Sequence, residues 1–228
     1  MYFGLMIISG IFALIGGAIS NRLKSVFKKY ERVSLQNGMS GAEIAKSMLE
    51  HYGIYDVRIV RGEGFLSDHY NPRSKVVSLS PAVHDGRNIS AAAVAAHECG
   101  HAVQHAEAYS MLQMRSALVP IVNISSKMQQ YVFMAGFVLA ASMGNVILLI
   151  AIGIFSVTAL FSVVTLPVEF DASNRALAWL ESSNITTESE QKGAKTALWW
   201  AAMTYVSAAL AAVVQVLYLV MIFMNNRR

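Results

Sequence analysis

Residues 95–105 read Ala-Ala-His-Glu-Cys-Gly-His-Ala-Val-Gln-His, two histidines four apart with a glutamate beside the first. On a helix His97 and His101 lie one turn apart on the same face, where both imidazoles can reach one ion at a Zn–N distance of about 2.0 Å. Glu98 is adjacent to that face and can take a proton from a water without ligating the metal itself. Gly100 keeps one side of the helix small, and the alanines at 91, 92, 93, 95, 96 and 102 let other helices come close. Cys99, at position i+2, lies about 200° around from His97 and is expected to face away as a small buried filler. Two histidines and a glutamate inside so apolar a helix are costly without partners. A metal site on a helix over residues 90–107, capped by Ser90, is therefore expected in preference to a polar surface patch.

The composition around this motif points to a membrane. Of the 228 residues 55% are hydrophobic and only 14% charged, well under the usual quarter for soluble proteins. The net charge of +4 comes with no basic tract or aromatic-interleaved patch, so nucleic acid is not an expected partner. The lone cysteine excludes an internal disulfide framework. Residues 2–20, YFGLMIISGIFALIGGAIS, are uncharged and long enough to span a bilayer. They lack the basic start and small-x-small site of a cleaved leader, so residues 1–20 are read as a retained transmembrane helix. Arg22, Lys24, Lys28, Lys29 and Arg32 follow at once and place that flank in the cytoplasm.

A polar region then runs over residues 21–128. It is expected to hold a short helix capped by Ser40 with Glu43 at the capping-box position, a strand over 55–60, a turn-rich loop over 67–74 and a second strand over 75–80. No charged residue occurs from Tyr131 to Val168. Residues 129–168 are read as a transmembrane hairpin turning near Ser142 to Asn145. A polar helical segment over 169–195 returns the chain to the first side, and residues 196–226 form a last transmembrane helix. The expected fold is thus mainly α: an integral membrane helical protein with four spans and a small α+β zincin-like metallopeptidase core.

A tetrahedral site still needs a third protein ligand. The stretch Pro167-Val-Glu-Phe-Asp-Ala-Ser-Asn-Arg-Ala176 is its best source. Glu169 is the first charge after the apolar run, and a His-His-Glu set leaves the fourth position for water. With these residues in view, the chain resembles the YugP-type zinc metallopeptidases of bacteria, and more distantly the HtpX and CAAX-prenyl membrane protease group. The resemblance rests on the N-terminal span, the DHYNPRSKVVSLSP segment at 68–81, the AAHECGHAVQH block and the LPVEFDASNRA block. It implies one Zn²⁺ per chain held by His97, His101 and Glu169, with Glu98 as the base. It also implies that the strand at 75–80 aligns an extended substrate. One departure stands out. The distant group carries an aspartate four residues after its glutamate, whereas here Ser173 holds that position and the aspartate is at 171. On a regular helix Asp171 faces elsewhere, so a supporting role for it requires an irregular one.

The remaining polar candidates are less constrained by spacing. His105 is one more turn along the motif face and could tune the site or lie on the surface. His69, Tyr70 and His84 fall in expected loops, from which each could donate to a developing oxyanion. Arg175 is placed to pair with Asp171 or to steady a substrate. The resulting expectation is a zinc endopeptidase of the bacterial cell membrane, multi-pass, with its site on the cytoplasmic side. It acts on membrane or membrane-proximal proteins, with a homo-oligomer or a regulatory membrane partner left open. The rival readings are a membrane scaffold with an idle zinc site and a membrane-tethered exopeptidase.

Overall fold

The computed structural model describes residues 2–226 other than Phe65 and Leu139. Seven helices and three short strands follow one another as α1 (Tyr2–Glu31), α2 (Gly41–His51), β1 (Arg58–Arg61), β2 (His69–Asn71), β3 (Val76–Leu79), α3 (Pro81–His84), α4 (Ile89–Ala106), α5 (Ser110–Val138), α6 (Ala140–Ser182) and α7 (Glu188–Asn225). The fold is mainly α-helical, with a small open sheet set among helices. Among the described residues three helices are long and apolar enough to cross a membrane: Phe3–Glu31, Gly144–Ser182 and Glu188–Asn225. The chain divides into two compact units, one of Met1–Ala18, Gln113–Leu166 and Thr204–Arg228, the other of Ile19–Leu112 and Pro167–Met203.

The first unit is a bundle of apolar helices. Leu5, Leu148, Ala151 and Leu219 form its buried cluster, with Val132, Phe155 and Tyr218 packed against them. Polar groups inside it find one another. Gln129 Nε2 of α5 donates to Thr158 Oγ1 of α6 at 2.9 Å, and Gln215 Nε2 of α7 donates to Ser9 Oγ of α1 at 3.1 Å.

The second unit carries the sheet and the motif helix. β3 is its central strand, parallel to β1 and antiparallel to β2. The turn from β2 to β3 is set by Asn71, whose Oδ1 accepts from the backbone N–H groups of Arg73 and Ser74, the local bonding that suits asparagine to turns. The Ser40–Glu43 capping box is present, with reciprocal bonds of 3.3 and 2.7 Å. α4 runs through the middle of the core: Ala92, Ala93, Ala95, Ala96, Cys99 and Ala102 are buried with Ile44 and Met48 of α2, Val77 and Leu79 of β3, and Trp179 and Leu180 of α6.

Several expectations need correcting. The cap of α4 is Asn88, which accepts from Ala91 N at 2.9 Å; Ser90 instead donates its hydroxyl to the Phe27 carbonyl and ties α4 to α1. The asparagine two residues earlier reaches the unpaired amide of Ala91, so the helix starts at Ile89. The segment 67–74 is not all loop: His69 and Tyr70 lie in β2, and His84 ends α3. Residues 142–145 do not form a turn; they are helical and belong to α6. Residues 169–182 are no separate helix. α6 runs on through Pro167 to Ser182, and a second helix begins at Glu188.

Candidate metal centre

Two helices build the site. His97 and His101 project from one face of α4, and Glu169 meets them from α6. Their ligand atoms all lie within 4.8 Å of one another, and no other such group of His, Cys, Asp and Glu occurs among the described residues. Glu169 Oε2 is 3.3 Å from His97 Nε2 and 3.6 Å from His101 Nε2. Two ligands about 2.05 Å from a tetrahedral ion stand about 3.3 Å apart, so the donor spacing fits zinc before any ion is added. The donor types, two imidazole nitrogens and one carboxylate, fit as well. Burial argues the same way. Glu169 is 2% exposed, and a carboxylate so deep costs several kcal/mol unless a counter-charge faces it.

Gly100 explains how α6 comes so near. A Cβ at that position would meet the carbonyl oxygen of Ala172 at 2.6 Å, closer than any side chain can sit. The glycine therefore lets α4 and α6 touch backbone to backbone, next to His101 and three residues from His97. Cys99 takes the opposite side, where its thiol donates to the Ala45 carbonyl at 3.5 Å and burial pushes its ionisation up. It is a filler, as its place on the helix implied.

Both histidines are held from behind. Ser173 Oγ is 3.1 Å from His97 Nδ1, and Gln104 Oε1 is 3.0 Å from His101 Nδ1. Each Nδ1 is thus engaged and each Nε2 is turned toward Glu169. Gln104 donates in turn to the Val168 carbonyl and to Asp171 Oδ2, both at 2.8 Å. Asp171 accepts from Arg175 Nε at 2.6 Å, and Arg175 Nη1 reaches Glu107 at 2.6 Å. Asp171 therefore supports the site through Gln104, and a regular helix suffices. Ser173, at the position where the distant group has aspartate, contacts His97. Gln104 was not singled out from the sequence. Its only signal was its offset of three from His101, on the motif face.

Glu98 is buried beside His97. Burial lowers the proton affinity of His101, but the Glu169 carboxylate, with Glu98 and Gln104, more than offsets it, and the His101 pKa is raised. The other candidates stand apart from the triad. His105 Nδ1 is 2.8 Å from the hydroxyl of Tyr70, whose ionisation burial pushes up to about 12. His69 Nδ1 bonds the Ser67 carbonyl, and His84 pairs with Asp85, which also accepts from Arg61. His84 thus belongs to a local ion-pair cluster.

The family model described as "Putative neutral zinc metallopeptidase" matches residues 5–224 of the chain. A relative from Bacillus subtilis (strain 168), "Putative membrane protease YugP", is 42% identical over 208 residues, which cover 90% of each chain. No solved structure matches.

Proposed function

The chain belongs to this family of neutral zinc metallopeptidases, and from that premise we propose that it is a membrane endopeptidase in which His97, His101 and Glu169 hold one zinc ion and Glu98 is the general base. That it is a zinc-dependent membrane metallopeptidase acting on protein or peptide substrates follows from the family, the apolar helices and the triad. The observation that carries the finer reading is the triad's donor spacing, with a buried carboxylate one residue from the first histidine.

When bound, zinc supplies Lewis-acid polarisation of a peptide carbonyl and acidification of a water. The protein residues do the rest. Glu98 takes the water proton and delivers it to the leaving amine. Glu169 and the two imidazoles fix the position at which this happens, and Ser173 and Gln104 fix the imidazoles. Alignment of an extended substrate belongs to β2 rather than to the strand at 75–80. β3 has both edges covered, whereas β2 has β3 on one side only and is joined to α4 through the Tyr70–His105 bond. An open edge lets a chain continue past the site in both directions, which favours internal cleavage. The basic flank after residue 20 supports a site on the cytoplasmic side.

The test is E98Q. The variant is expected to keep one zinc per chain while losing about 10²–10⁴ in hydrolysis rate. Loss of zinc from folded E98Q protein would contradict the assignment of Glu98 as base. Full activity after the metal is stripped by a chelator would contradict the zinc mechanism. Products shortened only from an end would replace endopeptidase with exopeptidase.

A further inference from the structure

Gln104 is completely buried, and both hydrogens and the oxygen of its amide are engaged. The two hydrogens of Nε2 go to the Val168 carbonyl and to Asp171 Oδ2, each at 2.8 Å. Both partners are acceptors. The carbonyl can be nothing else, and the Asp171 carboxylate is held by Arg175 Nε on the same oxygen. An amide turned by 180° would press its oxygen against both of them. Its orientation is therefore fixed from the α6 side, and its oxygen is obliged to face His101 Nδ1 at 3.0 Å.

From this we infer that Gln104 is a positioning residue that sets the tautomer of His101. An acceptor-only oxygen at Nδ1 requires a proton there, so His101 can take a metal only through Nε2, the nitrogen that faces Glu169. His97 is not constrained in the same way, because the Ser173 hydroxyl at its Nδ1 can donate or accept. One histidine is thus preset by α6 before the metal arrives, and the other adjusts. The preset is coupled to assembly of the site. The groups that lock the amide, Val168 and Asp171, flank Glu169, so the same stretch of α6 delivers the third ligand and orients the second.

This inference rests on zinc being held by His97, His101 and Glu169, and the experiment separates the two. Zinc affinity is measured by chelator competition for the unsubstituted protein and for Q104M, which keeps the length of the side chain but removes both acceptor and donors. Zinc-free melting is recorded for both proteins. Losing a hydrogen-bond partner behind a ligand typically costs about 10–100-fold in metal affinity, and that loss is expected in folded Q104M. A purely packing role would lower the melting midpoint and leave affinity unchanged. Should Q104M not fold, the zinc-loaded unsubstituted protein labelled with ¹⁵N-histidine still gives the answer. Its His101 is expected to carry a hydrogen-bonded Nδ1–H and to be ligated through Nε2. An affinity within about threefold of the unsubstituted protein, or His101 bound through Nδ1, overturns the inference and leaves the metal site standing. An unsubstituted protein that binds no zinc overturns both.

Discussion

Glu169 and Asp171 stand two apart on α6, and the turn of the helix gives them different partners. Glu169 faces the two Nε2 atoms, while Asp171 faces Gln104 and Arg175. E169Q nearly preserves size and burial but removes the anionic donor. It is expected to lose zinc and hydrolysis together, because two imidazoles leave the ion short of a ligand. D171A touches no ligand directly and is expected to retain more zinc than E169Q, with a deficit of at most about 10–100-fold in affinity. Metal analysis of the two purified variants checks both, and a D171A protein that holds less zinc than E169Q would reverse the roles. The grouping of His97, His101 and Glu169 was legible in the sequence for a physical reason. A four-residue helical spacing places two imidazoles together, and a first charge after a long apolar run must have something to pair with. Gln104 and Ser173 were not legible as supports. A glutamine and a serine occur everywhere on helices, and only packing of α4 on α6 reveals which atoms they face.

At the scale of elements, the contact between α4 and α6 is the assembly step of the site. Gly100 makes it. G100A would put a methyl group against the Ala172 carbonyl at 2.6 Å, and backbone on both sides leaves no flexible group to yield. Overpacking of this kind costs about 1–3 kcal/mol, and the shift it forces on α6 falls three residues from Glu169. G100A is expected to melt at a lower temperature and to bind zinc more weakly than the unsubstituted protein. Unchanged zinc affinity in G100A would show that the close approach is not what positions Glu169. The elements most readily read from the sequence were those with strong local chemistry, such as the Ser40–Glu43 box and the long apolar helices. β2 was missed because three residues carry too little pattern. His69 to Asn71 become a strand only because the Asn71 turn folds them back on β3. The cap of α4 was misplaced by two residues because Asn88 and Ser90 are both good caps, and Ser90 finds a different partner in Phe27.

For the molecule as a whole, the contacts of the helical bundle constrain how the chain threads a membrane. Asn226, just past the end of α7, donates to Asn145 near the start of α6 at 3.3 Å, so these two helices run antiparallel. Ser9 of α1 pairs with Gln215 late in α7, which puts the N-terminal end of α1 with the same group. α5 is not among the helices long and apolar enough to span on those grounds alone, since Asn123, Ser125, Ser126, Lys127, Gln129 and Gln130 hold its hydropathy down. It nevertheless has 29 residues, about 44 Å of helix at 1.5 Å per residue, enough for a hydrocarbon core of about 30 Å. Its exposed residues include Met114, Ile121, Ile124, Met128, Tyr131 and Met134, a stripe suited to lipid. α5 is therefore expected to be a fourth crossing. In a C99A background, single cysteines introduced by S34C and S189C should be labelled by an impermeant reagent from the same face of the membrane, the cytoplasmic one by the basic flank after α1. One introduced by N145C should be labelled only from the other face. Labelling of N145C from the face that exposes S34C would mean that α5 does not cross.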